Sequence, residues 1–238
     1  MSSISCKKHI PNSITCCNLI CGCIAAMHAV SGNLPLALLF IILGAVFDFF
    51  DGMVARLLNV SSPIGKELDS LADVVTFGVA PASIIFYELK VVEYPSAIPS
   101  AVVSLIPYIA YIVAAFSALR LAKFNLDTRQ TTSFIGLPTP ANALFWASLI
   151  VGQHAFLVSP KFNAVFLFLF MFLACLLLVA ELPLFSLKFK DLSWEHNRVQ
   201  YIFLLGCLLC LPLGYSALAA MIVWYLLLSV AVNARVNF

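Results

Sequence analysis

Long apolar runs, most of them about as long as a bilayer is thick, take up most of this 238-residue sequence. They extend over approximately residues 14–30, 35–58, 70–88, 97–122, 138–158, 162–181, 199–212 and 214–233. A helix crosses the hydrocarbon core of a bilayer with about 20 residues, and a chain in lipid must satisfy its own backbone hydrogen bonds. The sequence therefore predicts an all-α, polytopic transmembrane bundle of about eight spans.

Charged residues are scarce and lie mainly between the apolar runs. Hydrophobic residues make up 63% of the chain and charged residues 10%, whereas a soluble domain has about 25% charged residues. This leaves little chain for an extramembrane domain, and we expect a single membrane domain over residues 1–238. The net charge of +2 is too small to indicate nucleic acid as a partner, so we expect none.

The positions of the lysines and arginines predict the orientation of the bundle. With eight spans and a cytoplasmic N-terminus, eleven of the 13 basic residues fall in cytoplasmic segments, and only Lys90 and Lys161 fall on the other side. Cytoplasmic loops of membrane proteins carry an excess of Lys and Arg. We therefore expect both termini in the cytoplasm of a multi-pass integral protein, in a bacterial-type inner or cell membrane.

Four aspartates stand at helical spacing in one short stretch. Asp48 and Asp51 lie near the end of the second apolar run, and Asp69 and Asp73 lie near the start of the third. Side chains three or four positions apart share one face of a helix, and the polar residues and proline at 58–63 interrupt the helix between the pairs. We therefore expect a helical hairpin that brings both carboxylate pairs together at the cytoplasmic side.

The residues around the aspartates indicate phosphoryl chemistry. Neighbouring carboxylates repel one another unless cations compensate them, and Mg²⁺ and Mn²⁺ prefer such oxygen ligands. Gly52 and Ala55 leave a strip of helix without bulky side chains, so that a large group can approach the backbone. Arg56 adds a guanidinium that suits phosphate. The alternative is a hairpin whose ion pairs merely fix helix register, and four charges of one sign argue against it.

These residues carry a resemblance to a known family. The pattern Asp-x2-Asp-Gly-x2-Ala-Arg-x8-Gly-x3-Asp-x3-Asp is matched without a departure over residues 48–73, and it resembles the signature of the CDP-alcohol phosphatidyltransferases. In that family an alcohol hydroxyl attacks the lipid-linked phosphorus of a CDP-activated substrate, and CMP leaves. The resemblance covers residues 10–142, which we expect to carry the catalytic core, with additional transmembrane helices over residues 143–238.

The resemblance implies roles for individual residues. Two divalent cations, Mg²⁺ or Mn²⁺, would be held by Asp48, Asp51, Asp69 and Asp73. Asp73 would also be catalytic, as the general base. The CDP-lipid would be bound by Asn12, Thr15, Gly52, Ala55, Arg56 and Gly65. Helix capping at the membrane interface is the alternative for Asn12 and Thr15. The family further implies a homodimer.

Three polar residues at the end of the fourth run bear on the acceptor alcohol. Arg120, Lys123 and Asn125 fall at the membrane level of the aspartates. Cations with an amide suit an acceptor that carries a carboxylate, although phosphorylated acceptors are anions too, and topology anchoring is the alternative for both cations. Residues 71–82, 120–125 and 134–142 resemble the serine-using branch of the family. Lys123 departs from that branch, where arginine is expected, and it lacks the guanidinium fork.

The resemblance thus implies transfer of the phosphatidyl group from CDP-diacylglycerol to L-serine, giving phosphatidylserine and CMP at the cytoplasmic face of the membrane. The same chemistry with glycerol 3-phosphate, inositol phosphate or an amino alcohol is an alternative. A divalent-cation transporter is a function of a different class, because clustered acids in a membrane can carry ions. A transporter is expected to hold them near mid-membrane on broken helices, whereas these lie at one end of the hairpin.

Overall fold

Helices account for almost all of the chain that the computed structural model describes, which is residues 3–95, 98–126, 134–185, 187 and 193–236. The helices are α1 (Ser3–Val30), α2 (Leu34–Leu57), α3 (Pro63–Asp73), α4 (Ala80–Val91), α5 (Ser100–Val103), α6 (Ile112–Leu126), α7 (Thr139–Leu157), α8 (Ala164–Val179), α9 (Arg198–Cys210) and α10 (Ala217–Val236). A π-helical turn, Val74–Val79, joins α3 to α4, and 3₁₀ turns at Ile106–Tyr111 and Leu211–Ser216 precede α6 and α10. Two-residue strands, β1 (Phe134–Ile135) and β2 (Pro183–Leu184), pair antiparallel.

Five helical segments in the described part of the chain are long and apolar enough to cross a membrane. They are His9–Val30, Leu34–Leu57, Pro63–Val91, Ser100–Leu126 and Arg198–Ala234. The predicted all-helical membrane fold is confirmed at this level, while the count of eight spans and the placement of the termini stay predictions. Helix α1 begins at Ser3, before the first apolar run. Hydropathy alone does not detect its first turns, because they are polar.

The last of these segments is a pair of helices folded back on each other. Gly214 has φ 59° and ψ −126°, a backbone conformation that residues with a Cβ rarely adopt. The rings of Phe203 on α9 and Tyr225 on α10 lie 5.7 Å apart, and Gly206 faces the indole of Trp224. Helices α9 and α10 therefore form a hairpin, and its turn lies at Pro212-Leu213-Gly214, between the last two apolar runs of the sequence.

The segment Pro63–Val91 is the central helix of the bundle. In its 18-residue apolar stretch, 67% of the residues are buried inside the protein. The corresponding share is 17–33% in the other candidate spans. The outer helices expose apolar side chains such as Phe166, Phe170 and Leu173, which is the arrangement expected of a surface that meets lipid. The central helix brings Asp69 and Asp73 into contact with α1 and α2 rather than with solvent.

Two glycines allow the central helix to approach α1 and α2 closely. Thr76, in the π-helical turn, lies between Gly22 on α1 and Gly44 on α2. A Cβ on Gly22 would be 2.7 Å from Thr76 Cα, and a Cβ on Gly44 would be 2.5 Å from Thr76 Cγ2. The Thr76 hydroxyl also donates to the backbone oxygen of Asn18 at 2.9 Å. Three helices are thus fixed to one another one turn beyond Asp73.

Candidate active site

The hairpin of α2 and α3 forms the frame of the site. Helix α2 ends at Leu57, and the chain turns through Asn59, whose φ is 49°. Ser62 then caps α3, because its hydroxyl oxygen accepts from the backbone N–H of Gly65 at 3.0 Å and Pro63 occupies the first turn. The predicted break between the two carboxylate pairs is therefore confirmed.

The hairpin brings the four aspartates together. One carboxylate oxygen from each of Asp48, Asp51 and Asp69 lies within 4.8 Å of the other two. The Asp48 side chain lies next to the side chains of both Asp69 and Asp73, so that Asp73 adjoins this group. Asp51 and Asp73 are only 6% and 8% exposed. The predicted convergence of the two pairs at one end of the hairpin is confirmed.

The donor set fits hard divalent cations. Carboxylate oxygens are the ligands that Mg²⁺ and Mn²⁺ prefer, and adjacent carboxylates in a partly dry site repel unless cations compensate them. Oδ1 of Asp69 is buried and has no hydrogen-bond partner among the described residues. A buried carboxylate oxygen without a donor is unfavourable unless a cation takes that place.

Helix α1 supplies hydrogen-bond donors to the cluster. The Thr15 hydroxyl is 2.5 Å from Asp51 Oδ2, and the side-chain amide of Asn18 donates to Asp73 Oδ1 at 3.2 Å. Thr15 is predicted for the site by the family resemblance alone, and Asn18 is not among the predicted residues. The signal was present, because Pro11, Thr15 and Asn18 share one face of α1 by their spacing of four and three.

A cavity of about 250 Å³ adjoins the carboxylates. It is lined by Pro11, Asn12, Thr15, Asp51, Gly52, Ala55, Val60, Ser61, Ser62, Gly65, Lys66 and Asp69. Five of the six residues predicted to bind the CDP-lipid therefore line this cavity. Arg56 lies exposed beside them, with its guanidinium next to Gly52. Lys66 is a cation of this cavity that the sequence analysis did not single out.

The three residues predicted for the acceptor occupy different surroundings on α6. Arg120 is buried, interacts electrostatically with Asp73, and lies over the Phe124 ring at 5.1 Å. The Asn125 amide donates to Ser70 Oγ at 2.8 Å, beside Asp69. Lys123 is exposed. The structure thus brings Arg120 and Asn125 to α3 and its carboxylates, and it leaves Lys123 on the surface of the helix.

Comparison with known proteins identifies the family. A family model described as CDP-alcohol phosphatidyltransferase matches residues 8–236. The chain belongs to the CDP-alcohol phosphatidyltransferase family. The resemblance carried by residues 48–73 and the predicted enzyme class, a phosphatidyltransferase, are both confirmed.

Several curated members of this family are similar to the chain. A CDP-diacylglycerol–serine O-phosphatidyltransferase of Bacillus subtilis (strain 168) is 42% identical over 133 residues, which cover 56% of this chain and 70% of that protein. One of Helicobacter pylori (strain J99) is 38% identical over 136 residues, 56% of this chain and 54% of that protein. One of Methanocaldococcus jannaschii is 32% identical over 212 residues, 81% of this chain and 94% of that protein. The chain thus spans about half of the Helicobacter protein and nearly all of the Methanocaldococcus one.

Proposed function

We propose that this chain transfers the phosphatidyl group of CDP-diacylglycerol to the hydroxyl of L-serine, giving phosphatidylserine and CMP. The observation that carries the proposal is the convergence of Asp48, Asp51 and Asp69, with Asp73 adjoining them, beside a cavity lined by Gly52, Ala55 and Gly65. The serine assignment is supported by the names of the curated relatives. It is also supported by the position of Arg120 next to Asp73.

The donor would bind with its nucleotide in the cavity and its phosphates at the carboxylates. Mg²⁺ or Mn²⁺, two ions by analogy with the family, would be held by Asp48, Asp51, Asp69 and Asp73, and bound cations would neutralise charge on the phosphates. Gly52, Ala55 and Gly65 leave room for the cytidine against the backbone, with Asn12 and Thr15 on the facing helix. Arg56 and Lys66 would attract the phosphates from the rim.

In the transfer step, the serine hydroxyl oxygen forms a bond to the lipid-linked phosphorus, and the bond from that phosphorus to the CMP oxygen breaks. Asp73 accepts the hydroxyl proton, and CMP leaves as a phosphate anion. Asp73 is suited to the task because it is buried, adjoins the carboxylate cluster and lies near Arg120. A base in that position acts late, as the oxygen–phosphorus bond develops.

The acceptor would lie between α3 and α6. Arg120 would pair with the carboxylate of serine. The Ser70 hydroxyl lies 3.2 Å from the backbone oxygen of Lys66, to which it donates, and it therefore accepts from the nitrogen of the Asn125 amide. This arrangement leaves Oδ1 of Asn125 as an acceptor for the ammonium of serine. Lys123, at the surface, would contribute only to the field around the site.

An apolar cleft beside the carboxylates offers a place for an acyl chain of the donor. It has a volume of about 300 Å³ and is lined by Ile42, Ala45, Val46, Phe49, Phe50, Leu144 and Leu218. Four of these residues, Ala45, Val46, Phe49 and Phe50, lie within three positions of Asp48 on α2. A lipid whose phosphates lie at Asp48 can extend a chain into this cleft without leaving the apolar layer.

The remaining features of the proposal concern the whole chain. We place the active site at the cytoplasmic face of a bacterial-type cell or inner membrane, with eight spans and both termini in the cytoplasm, on the basis of the charge distribution. Residues 10–142 would carry the catalytic core and residues 143–238 additional membrane helices. The family resemblance supports a homodimer.

The experiment that tests the proposal is CMP release by the purified protein from CDP-diacylglycerol, with and without L-serine. Serine-dependent CMP release with matching phosphatidylserine in the lipid fraction is expected. Glycerol 3-phosphate, inositol phosphate and ethanolamine serve as competing acceptors, and preference for one of them would overturn the serine assignment. Mn²⁺ uptake into proteoliposomes without CDP-lipid, together with no CMP release, would instead favour a transporter.

A further inference from the structure

A completely buried asparagine on α1 makes a contact that the proposed mechanism does not use. Asn18 has 0% exposure, and its amide nitrogen donates to Oδ1 of Asp73 at 3.2 Å. Its own oxygen, Oδ1, is buried without a hydrogen-bond partner among the described residues. Burying a carboxamide with one end unsatisfied is unfavourable. The hydrogen bond that the structure describes for this side chain is directed at Asp73.

The backbone around Asn18 fixes the position of the amide. The Thr76 hydroxyl donates to the Asn18 backbone oxygen, and Thr76 itself lies against Gly22 and Gly44. A Cβ on Gly44 would be 3.0 Å from Oδ1 of Asn18, so α2 bounds the side chain as well. The position of the donor relative to Asp73 therefore depends on the packing of α1, α2 and the central helix.

Asp73 needs a donor of this kind because of its other neighbours. Asp48 is in direct contact with it, and Asp51 and Asp69 act on it through their charge. All three are carboxylates, which repel a fourth one and favour its rotation away from the cluster. Arg120 attracts Asp73, but a charge acts over distance and does not select one oxygen. A neutral amide at hydrogen-bonding distance does select one.

We propose that Asn18 is a positioning residue for Asp73. Its amide holds Oδ1 of the carboxylate and so presents the other oxygen, Oδ2, toward the reacting hydroxyl and the cation site. The inference rests on the proposed function for the chemistry that Asp73 performs. The contact itself and its effect on the carboxylate do not depend on which alcohol is the acceptor.

The test combines turnover with metal binding in a double-mutant cycle. The purified proteins to be compared are the wild type, the single variants Asn18→Ala, Asn18→Leu and Asp73→Asn, and the double variant Asn18→Ala with Asp73→Asn. Cys17→Ala is the matched control, because Cys17 is the exposed neighbour of Asn18 on the same helix. Leucine has the same branching at Cγ as asparagine and no donor, so it fills the position if the alanine variant unfolds. Mn²⁺ affinity is measured by electron paramagnetic resonance, and kcat and KM by CMP release.

Loss of a group that orients a metal-binding carboxylate typically lowers affinity or activity about 10- to 100-fold. We expect kcat to fall by about that factor in both Asn18 variants, with KM for the CDP-lipid within about threefold of wild type. Asn18→Ala should weaken Mn²⁺ binding in the wild-type background and leave it unchanged in the Asp73→Asn background, because the effect passes through Asp73.

Three results would overturn the inference. One is an unchanged kcat in a folded Asn18→Leu protein, and the second is the same loss of Mn²⁺ affinity in both backgrounds. The third is a wild type that binds no Mn²⁺. If the wild type released no CMP with any acceptor, the proposed reaction would fail, but the comparison of Mn²⁺ affinities would still decide the role of Asn18.

Discussion

The four aspartates of the signature have different surroundings in the structure, although nothing in the sequence pattern distinguishes them. Asp51 lies against the Thr15 hydroxyl and Asp73 against the Asn18 amide, while Asp48 contacts two other carboxylates. Asp69 keeps one buried oxygen without a donor among the described residues. Because these surroundings differ, replacing each carboxylate by its amide is expected to have a different effect.

Asp48→Asn and Asp69→Asn should each lower turnover by more than about 100-fold, because each removes a charge from the cation site and keeps the side-chain shape. Glu67→Gln is the matched control, since Glu67 is an exposed carboxylate on the same helix as Asp69. CMP release as a function of Mg²⁺ or Mn²⁺ concentration measures the effect. Normal metal-dependent activity in either aspartate variant would remove these residues from the cation site.

Asp73→Asn should abolish transfer and leave CDP-diacylglycerol binding largely intact. The base is needed only when the hydroxyl attacks, and Asp73 is not among the residues that line the nucleotide cavity. Equilibrium binding of CDP-diacylglycerol and single-turnover CMP release, measured on the same preparation, separate the two effects. Loss of both in a folded protein would show that Asp73 is needed for donor binding as well.

Arg120→Ala and Asn125→Ala should raise KM for serine by about 10-fold or more, with a smaller loss of kcat. A hydrogen bond to a charged group contributes roughly 1.5–3 kcal/mol, and about 1.4 kcal/mol corresponds to a factor of ten. Leu126→Ala is the control, because Leu126 is 85% exposed at the end of the same helix. An unchanged KM for serine in both variants would mean that neither residue binds the acceptor. Arg120 would then only anchor the topology, and Asn125 would only stabilise the helix contact.

At the scale of helices, the α2–α3 hairpin could be predicted. On α1, the spacing of Pro11, Thr15 and Asn18 marks one face of the helix, but it does not say which residue that face contacts. Pro63 and the preceding serines are local signals for a helix start, and helical spacing alone brings Asp69 and Asp73 onto one face. The contact of Asn18 with Asp73 joins residues 55 positions apart. It depends on how closely α1 packs, and hydropathy carries no information about that distance. The π-helical turn after Asp73 was not predictable for the same reason.

Gly22→Ala should destabilise the fold, because the added Cβ would overlap the backbone of Thr76 on the central helix. Overpacking of this kind typically lowers stability by about 1–3 kcal/mol. Gly52→Ala is the contrasting variant, since its Cβ would come no closer than 3.5 Å to the Arg56 guanidinium. Thermal unfolding in detergent should show a lower Tm for Gly22→Ala alone. Equal Tm values would mean that α1 and the central helix pack less tightly than described.

At the scale of the molecule, the central helix carries ionisable groups near both of its ends. Glu88 is completely buried, and its carboxylate lies 2.8 Å from Nδ1 of His154 on α7. Fifteen residues separate it from Asp73, which amounts to about 22 Å along a helix. The contact between Glu88 and His154 could not be predicted from the sequence, because 66 positions separate the two residues. We assign this pair to the stability of the bundle and not to the chemistry.

His154→Ala should therefore lower stability and leave turnover nearly unchanged. The substitution removes the described partner of a buried carboxylate, and an unsatisfied buried group reduces stability by about 1–3 kcal/mol. His154→Gln, which keeps a donor, should recover part of the loss. Tm in detergent and kcat for CMP release are the two measurements. A large fall in kcat at unchanged Tm would contradict this assignment and would connect the far end of the helix to catalysis.

The position of Thr76 between two glycines has a mechanical consequence. Because Thr76 packs against both neighbouring helices, it resists sliding and rotation of the central helix relative to α1 and α2. A slip by one helical turn would move the carboxylates of Asp69 and Asp73 by about 5.4 Å and would force Thr76 against side chains that have no room for it. We therefore expect the inner helices to keep a fixed register, and we expect substrate entry and product release to depend on the α2–α3 connection and the exposed side chains at the rim.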